Sequence, residues 1–257
     1  YKALYATNVR GTHEILALAS THHSKAVYYL STLDIFESLA STGIHEFFED
    51  ANIALGKGIS GGYAQSKWIA EKMVVEAGRR GLPISIYRPG MVTGHSQSGY
   101  SNTSDIFCRL VKSLAEVRQA PMLDLLIDMT PVDYVSQAIT SLSLQPVSIG
   151  KIFHVVNPQP MPFSDIVSTL DNFGCPVERV DYPQWKQTLK LLPNAMSPLA
   201  ASLSNEDKDG DKTCLELWLG GNDRFDDKNT QKGLKAAYID CPKADARLLK
   251  TYLKYYA

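Results

Sequence analysis

Tyr63 and Lys67 have the types and spacing of a proton-donating pair. They are four positions apart, so on a helix their side chains lie one above the other on the same face. An ammonium near a phenol favours the phenolate, so Lys67 is expected to lower the pKa of Tyr63 from about 10 and improve it as a proton donor. A hydroxyl from Thr32 can hold a carbonyl oxygen beside them, which predicts carbonyl reduction by a nicotinamide.

Spacing alone is weak evidence, because the chain contains 13 tyrosines and a second match at Tyr182 and Lys186. Pro183 directly follows Tyr182 and is expected to bias that tyrosine away from helical geometry. Tyr63 instead follows a Gly-rich stretch and begins a long helical pattern. An ordinary surface pair is the alternative interpretation, and the surrounding elements must decide between the two.

Those elements have the order of a parallel α/β sheet. The apolar run at residues 25–32 predicts a buried strand that ends at Thr32. An amphipathic helix is predicted from Tyr63 to about residue 80, followed by a short strand at 84–88 that Pro89 and Gly90 stop. Ligands of such sheets bind at the C-terminal ends of the strands, where Thr32 is placed.

The rest of the chain is predicted to be mainly helical after residue 157, where we expect a soft domain boundary between 1–157 and 158–257. A helix is also predicted at residues 8–21, and residues 204–212 have the polar composition of a mobile loop. The other predicted elements are helices at 104–118, 133–144, 163–173 and 183–192, and a strand at 151–156.

Composition excludes several classes of protein. The net charge of -1 gives no cluster of cations for nucleic acid or an anionic membrane, and no apolar window is long enough to span a bilayer. Four scattered cysteines without a CxxC pair suit reduced cytosolic thiols. No histidine spacing matches a metal site. We therefore expect a soluble, cytoplasmic protein without a metal.

Five segments together carry a resemblance to a known family. They are Asn8–Thr12, Leu30–Thr32, Gly62–Trp68, Arg88–His95 and Pro131–Val135. The chain resembles the thioester reductase branch of the extended short-chain dehydrogenases/reductases nearly end to end. This branch includes the terminal reductase domains of nonribosomal peptide and polyketide synthases, and the reductase domains of carboxylic acid and aminoadipate reductases.

The resemblance implies an activity, a cofactor and a partner. An acyl or peptidyl phosphopantetheine thioester on a carrier protein, within a larger multidomain synthase, would take hydride from NADPH and leave as an aldehyde or, after a second reduction, an alcohol. Tyr63 would protonate the oxyanion, Lys67 would tune Tyr63 and bind the nicotinamide ribose, and Thr32 would orient the carbonyl. The cofactor segment, passing beside the nicotinamide, would be Pro89, Gly90, Met91 and Val92.

One expected feature of a dinucleotide-binding protein is absent from the sequence. A Gly-rich turn should join the first strand to the first helix, because only glycine lets backbone N–H groups approach the pyrophosphate. Residues 56–61 spell GxGxxG, yet they lie in a long loop without a strand before them, so we interpret the match as chance. In the family the turn precedes the Asn-Val-x-Gly-Thr segment, so 1–157 is expected to be the C-terminal portion of a Rossmann-type NADP-binding domain, without its N-terminal strands.

Several alternatives stay open at this point. The same trio of Thr, Tyr and Lys serves extended reductases and epimerases that act on sugar nucleotides or sterols, and a chain without the Gly-rich turn could be an inactive fragment that binds a carrier protein. Asn8 either lies near the site or caps a helix. His95 either lines the substrate entrance or is a loop residue, and Asp133 is expected to cap a helix.

Overall fold

The computed structural model describes residues 1–40, 43–53, 59, 61–191, 193–197 and 223–256. The predicted polar loop at 204–212 lies outside the described residues, and so does most of the GxGxxG stretch at 56–61. No helix within the described ranges is both long enough and apolar enough to cross a membrane.

Helices alternate with short strands along the chain. The α-helices are α1 (Lys2–Leu4), α2 (Gly11–Ser20), α3 (Glu37–Ala40), α4 (Gly62–Arg79), α5 (Ile106–Val117), α6 (Val132–Ser143), α7 (Phe163–Asn172), α8 (Tyr182–Leu191), α9 (Lys228–Leu234) and α10 (Ala246–Tyr256). A π-helix spans Tyr5–Arg10, and 3-10 helices span Leu33–Phe36, Pro146–Ser148 and Lys235–Ala237.

The strands are mostly two to four residues long, and the longest has six. They are β1 (Val27–Leu30), β2 (Glu46–Phe47), β3 (Ile84–Pro89), β4 (Val92–Thr93), β5 (Gln119–Pro121), β6 (Leu126–Ile127), β7 (Thr130–Pro131), β8 (Ile152–Val155), β9 (Met161–Pro162), β10 (Glu178–Val180) and β11 (Arg224–Phe225).

The chain divides into two compact units that alternate along the sequence. The first unit comprises Tyr1–Gly90, Val135–Val156 and Asp223–Asp240, and the second comprises Met91–Tyr134, Cys241–Ala257 and the described part of 157–222. One passage between the units, from Val156 to Asn157, lies beside the boundary expected at residue 157. The division into 1–157 and 158–257 stays a prediction.

A three-stranded parallel sheet forms the centre of the first unit. Its order is β1-β3-β8, with Leu30 opposite Tyr87 and Pro89 opposite Val155. Apolar residues of β1 and β3 pack against α2 and α4 in one cluster: Leu16, Ala19, Val27, Val74, Leu82, Ile84 and Ile86. A second cluster packs beside the 3-10 turn after β1, from Leu33, Ile35, Phe36, Phe47, Ile53 and Val156. The predicted strand, helix, strand order is confirmed.

The second unit is held together by helices around one larger apolar cluster. Its members come chiefly from α5, α7, α8 and α10, and include Trp185, Phe107, Leu249 and Tyr252, all at most 1% exposed. The four predicted helices in the second half begin and end within three residues of their expected bounds, as does the strand at Ile152–Val155. Their strong periodicity explains this agreement.

The expectation that Pro183 keeps Tyr182 out of helical geometry is wrong. Tyr182 begins α8, so Tyr182 and Lys186 lie on a helix just as Tyr63 and Lys67 do. Pro183 is tolerated there because its missing N–H falls in the first turn, where that group has no helical partner. Pro183 therefore does not distinguish the two pairs.

Candidate active site

Thr32 lies two residues after the C-terminal end of β1 in the first unit. Its backbone is extended, and its hydroxyl accepts a hydrogen bond from the Asp34 amide at 3.3 Å, which caps the 3-10 turn Leu33–Phe36. Thr32 is 8% exposed. The cap holds the hydroxyl at the edge of the sheet where ligands of parallel sheets bind.

The first turns of α4 carry Tyr63 and Lys67. The Tyr63 side chain is about half exposed, at 47%, and its phenol lies close to the side chain of Thr32. Lys67 Nζ donates to the Leu30 carbonyl at 2.5 Å and lies 4.6 Å from the centre of the Tyr29 ring. The end of β1 thus anchors the ammonium two residues before Thr32, and the predicted trio is gathered at one place.

The pKa of Tyr63 is raised, which corrects the expectation that Lys67 lowers it. Burial of the phenol raises the pKa, the negative charge of Asp34 raises it further, and the hydrogen bond with Thr32 lowers it. Lys67 contributes none of these effects, because its ammonium is directed at Leu30 and Tyr29. Tyr63 is therefore a neutral phenol at pH 7, with its proton available for donation.

Burial lowers the pKa of Lys67, and the carboxylate of Glu71 partly offsets this by raising it. Glu71 is four residues further along α4, on the same helix face. The charge of Lys67 thus depends on a residue that sequence analysis did not single out, although its spacing of four from Lys67 was visible.

Asn8 lies inside the π-helix Tyr5–Arg10 and not at a helix terminus, so the interpretation of Asn8 as a cap is wrong. Its Nδ2 donates to the Ser66 hydroxyl at 2.9 Å, and that hydroxyl donates to the Tyr63 carbonyl at 2.8 Å. π-Helical turns recur at functional sites because they redirect side chains. Here the turn directs Asn8 at the first turn of α4.

Two members of the proposed cofactor segment, Pro89 and Gly90, belong to the first unit. Pro89 is the last residue of β3 and pairs with Val155 of β8. The Gly90 amide donates to the Val155 carbonyl at 3.1 Å. Both residues therefore lie at the same C-terminal edge of the sheet as Thr32.

The other two members, Met91 and Val92, belong to the second unit. The Met91 amide donates to Asp128 Oδ2 at 3.1 Å, and Val92 pairs with Thr130 in the β4–β7 ladder. Asp128 also accepts from the Thr130 hydroxyl at 2.5 Å and from the Asn157 amide at 2.9 Å. Burial raises the pKa of Asp128 to about 6 against these hydrogen bonds.

His95 lies in a turn of the second unit. Its Nδ1 accepts from the amides of Gln97 and Ser98 at 3.2 and 3.4 Å. Asp133 lies in the first turn of α6, and its two carboxylate oxygens accept from the amide and hydroxyl of Ser96 at 2.8 and 2.6 Å. These hydrogen bonds join the turn that contains His95 to the start of α6, although Ser96 and Asp133 are 37 positions apart in sequence.

A buried ionic network lies behind Lys67 in the first unit. Arg88 and Glu71 are 0% exposed and paired, with Arg88 Nη2 2.6 Å from Glu71 Oε1. Arg88 Nη1 also donates to the Glu49 carbonyl at 3.2 Å and lies 3.1 Å from His154 Nε2. Burial and the charge of Arg88 lower the pKa of His154 to about 3, so its neutral ring can accept that bond. Sequence analysis named Arg88 only as part of a segment.

Within the described residues, no three His, Cys, Asp or Glu side chains are grouped as a metal ion would require. The donors gathered around Tyr63 are instead a phenol, an ammonium and a hydroxyl. These groups suit a carbonyl oxygen and sugar hydroxyls.

Comparison with known proteins gives relatives for both the sequence and the fold. Residues 1–139 match the NAD-binding family model described as "Male sterility protein". A linear gramicidin synthase subunit from Brevibacillus parabrevis is 32% identical over 263 residues, which cover 100% of this chain and 5% of that protein. The L-2-aminoadipate reductase large subunit from Candida glabrata is 32% identical over 256 residues, 92% of this chain and 18% of that protein.

One crystal structure is similar over nearly the whole chain: the terminal R domain from the myxalamid PKS-NRPS biosynthetic pathway. Its TM-score is 0.85 at 37% identity, covering 99% of this chain and 63% of that chain. The chain therefore spans less than two thirds of the length of each of these three relatives. The predicted α/β fold with a Rossmann-like parallel sheet and the resemblance to synthase reductase domains are both confirmed. The chain belongs to the NAD-binding family described as "Male sterility protein", and it is similar to the terminal R domain of a peptide and polyketide synthase pathway.

Proposed function

We propose that the protein is an NADPH-dependent thioester reductase, which releases an acyl or peptidyl chain from the phosphopantetheine of a carrier protein as an aldehyde. One observation carries the proposal: the side chains of Thr32 and Tyr63 interact, and Lys67 Nζ donates to the carbonyl of Leu30, all at the C-terminal end of β1. The names of two relatives, a gramicidin synthase component and an aminoadipate reductase, support a carboxyl-derived substrate.

The donor set fits the nicotinamide end of the cofactor. Lys67 has an ammonium proton to offer a ribose hydroxyl, and the Tyr63 side chain on the same helix face is 47% exposed. Pro89 and Gly90 provide a backbone surface at the same sheet edge. Bound NADPH supplies the hydride in this proposal, and the carrier protein supplies the thioester within a larger synthase.

The remaining chemistry belongs to side chains of this chain. Thr32 donates a hydrogen bond to the thioester carbonyl oxygen, and Tyr63 transfers its phenolic proton to that oxygen as hydride adds to the carbon. The carbon–sulfur bond of the resulting hemithioacetal then breaks, which yields aldehyde and free thiol. A solvent proton then replaces the one that Tyr63 donated, while the Lys67 ammonium holds the ribose hydroxyl.

Tyr63→Phe in the full-length protein tests the assignment. General acid catalysis contributes about 100-fold to 10,000-fold, so aldehyde formation from a carrier-bound thioester should fall by at least about 100-fold. Tyr182→Phe is the matched control, since Tyr182 and Lys186 share the spacing on α8, and it should retain turnover. Unchanged turnover in Tyr63→Phe would sink the assignment.

The choice of substrate class and cofactor is tested separately. Carrier-bound thioester, a sugar nucleotide and a sterol are each offered with NADPH and with NADH, and oxidation of the nicotinamide is followed by absorbance. The proposal expects turnover of the thioester with NADPH. Turnover of the sugar nucleotide or sterol alone would identify another extended reductase. A full-length protein that binds neither nicotinamide in calorimetry would be a non-catalytic carrier-binding module.

A further inference from the structure

Glu71 is a buried carboxylate on the same helix face as the proposed catalytic pair. Tyr63, Lys67 and Glu71 follow one another at intervals of four along α4, so their side chains form one row. Glu71 is 0% exposed. A carboxylate in that position would attract the Lys67 ammonium, because opposite charges one turn apart and away from water interact strongly.

The carboxylate of Glu71 instead forms an ion pair with Arg88. Arg88 Nε lies 3.1 Å from Glu71 Oε1 and 3.4 Å from Oε2, while Nη2 lies 2.6 Å from Oε1. The guanidinium is itself fixed on its other side by the Glu49 carbonyl and by His154, and its Cζ lies 5.0 Å from the centre of the Phe36 ring. Both oxygens of Glu71 therefore bind the guanidinium of Arg88, whose orientation is fixed by its other contacts.

Lys67 is left with other partners. Its Nζ donates to the Leu30 carbonyl and lies over the Tyr29 ring, both on β1. Titratable and charged groups that interact with the Lys67–Glu71 pair include Tyr29 on β1 and Arg88 on β3, with His154 behind Arg88 on β8 and Tyr63 near Tyr29. Burial raises the pKa of Tyr29 and the carboxylate of Glu71 raises it further, so that phenol stays neutral.

We propose that Arg88 is a positioning residue for the site: by binding both oxygens of Glu71 it keeps this carboxylate from capturing the Lys67 ammonium. Lys67 then remains on the Leu30 carbonyl, beside Tyr63 and Thr32. Burial still lowers the pKa of Lys67, because the carboxylate of Glu71 offsets only part of that effect. The effect of Arg88 on catalysis rests on the proposed function, because that function gives Lys67 its role. The effect of Arg88 on the position of Lys67 does not depend on that function.

The test follows the reactivity of the Lys67 amine, without substrate or cofactor. Full-length protein is treated with an amine-reactive ester at several pH values, and the peptide containing Lys67 is quantified by mass spectrometry. Only the neutral amine reacts, and each pKa unit changes its amount about tenfold at a pH below the pKa. An uncompensated Glu71 favours the ammonium, so Arg88→Gln should slow labelling at pH 8 by roughly threefold or more.

Glu71→Gln should have the opposite effect. Removing the carboxylate leaves Arg88 as an uncompensated cation near Lys67, which favours the neutral amine and should speed labelling by roughly threefold or more. The double variant Glu71→Gln/Arg88→Gln removes both charges and should return to within about twofold of the original rate. Arg80→Gln is the matched control, because Arg80 pairs with Glu76 on the same helix at 2.8 Å but in an exposed position, and it should label normally.

Opposite shifts in the two single variants, reversed in the double variant, support the proposal. Equal labelling of folded Arg88→Gln and the original protein would overturn it, as would shifts of both single variants in the same direction. If Arg88→Gln does not fold, the nearly isosteric Glu71→Gln decides, and a normal labelling rate there overturns the proposal. A protein without reductase activity that still shows the opposite shifts would contradict the proposed function alone.

Discussion

Asn8 and Ser66 are 58 positions apart in sequence, and Asn8 Nδ2 donates to Ser66 Oγ at 2.9 Å. Ser66 is 0% exposed, and its hydroxyl donates a hydrogen bond to the Tyr63 carbonyl at 2.8 Å. The π-helical turn Tyr5–Arg10 is thereby tied to the turn of α4 that carries Tyr63 and Lys67.

Asn8→Ala and Ser66→Ala should each reduce the free energy of unfolding by about 1 kcal/mol, the net value of a part-buried hydrogen bond. The two substitutions remove one shared interaction, so the double variant should lose less than the sum. Urea denaturation of the four proteins measures this coupling. Strict additivity would show that the two side chains do not stabilise one another, and Ser20→Ala on α2 serves as a control for loss of a helix hydroxyl.

Thr32 caps the 3-10 turn with its hydroxyl oxygen, and in the proposed mechanism the same hydroxyl binds the carbonyl. Thr32→Val removes that oxygen, so it should cost about 1 kcal/mol of stability and roughly tenfold or more in turnover. Thr32→Ser keeps the oxygen and should retain most of both. Steady-state kinetics and thermal unfolding separate the two effects, and equal turnover of the valine and serine variants would contradict a role for the hydroxyl.

The pKa of Lys67 is lowered by burial, so its ammonium is lost at a lower pH than that of an exposed lysine. The proposed role needs the ammonium, and the pKa of Tyr63 is raised. The alkaline fall in activity should therefore follow Lys67. Lys67→Arg stays charged, so its alkaline limb should move to higher pH even if turnover is lower.

The profile of kcat against pH measures this shift. Lys72→Arg is the control, because Lys72 is on the same helix but lies over the Trp68 ring, away from the trio. Its limb should coincide with that of the original protein. An unmoved limb in Lys67→Arg would assign the titration to another group.

Asp128 predicts a pH dependence of stability. Its pKa is raised to about 6 in the folded protein from the usual 3.8. A raised carboxyl pKa means that the folded state binds the proton more tightly, so this contribution is present below about pH 4 and lost as the pH rises through about 6. Asp128→Asn carries no such proton. Urea denaturation should therefore show the original protein losing stability relative to Asp128→Asn between pH 4 and 7, whereas parallel curves would contradict the shift.

The strand, helix and strand around the site could be predicted because each follows from a local pattern. The run Val27–Leu30 is continuous and apolar, and α4 has a clear 3.6-residue period, so burial on one side is sufficient to select these elements. Very short strands such as β6 and β9 could not be predicted, because they depend on a partner far away in sequence.

The candidate site was predictable in its residues and less so in its electrostatics. Tyr63, Lys67 and Thr32 were identified from spacing, element order and family resemblance. The expected drop in the pKa of Tyr63 was wrong because Lys67 is directed at Leu30, while burial and Asp34 act on the phenol. A sequence gives the spacing of two charges along a helix, but not the direction in which a flexible lysine points.

The sequence by itself determined which residue types share a helix face and which strand ends nearby, since both depend on the regular geometry of the backbone. Only the tertiary structure decided what surrounds them. Arg88 reaches Glu71 across 17 positions, and Asn8 reaches Ser66 across 58. Such contacts form where separate elements pack, and burial then makes their charges and hydrogen bonds strong enough to set the properties of Lys67 and Tyr63.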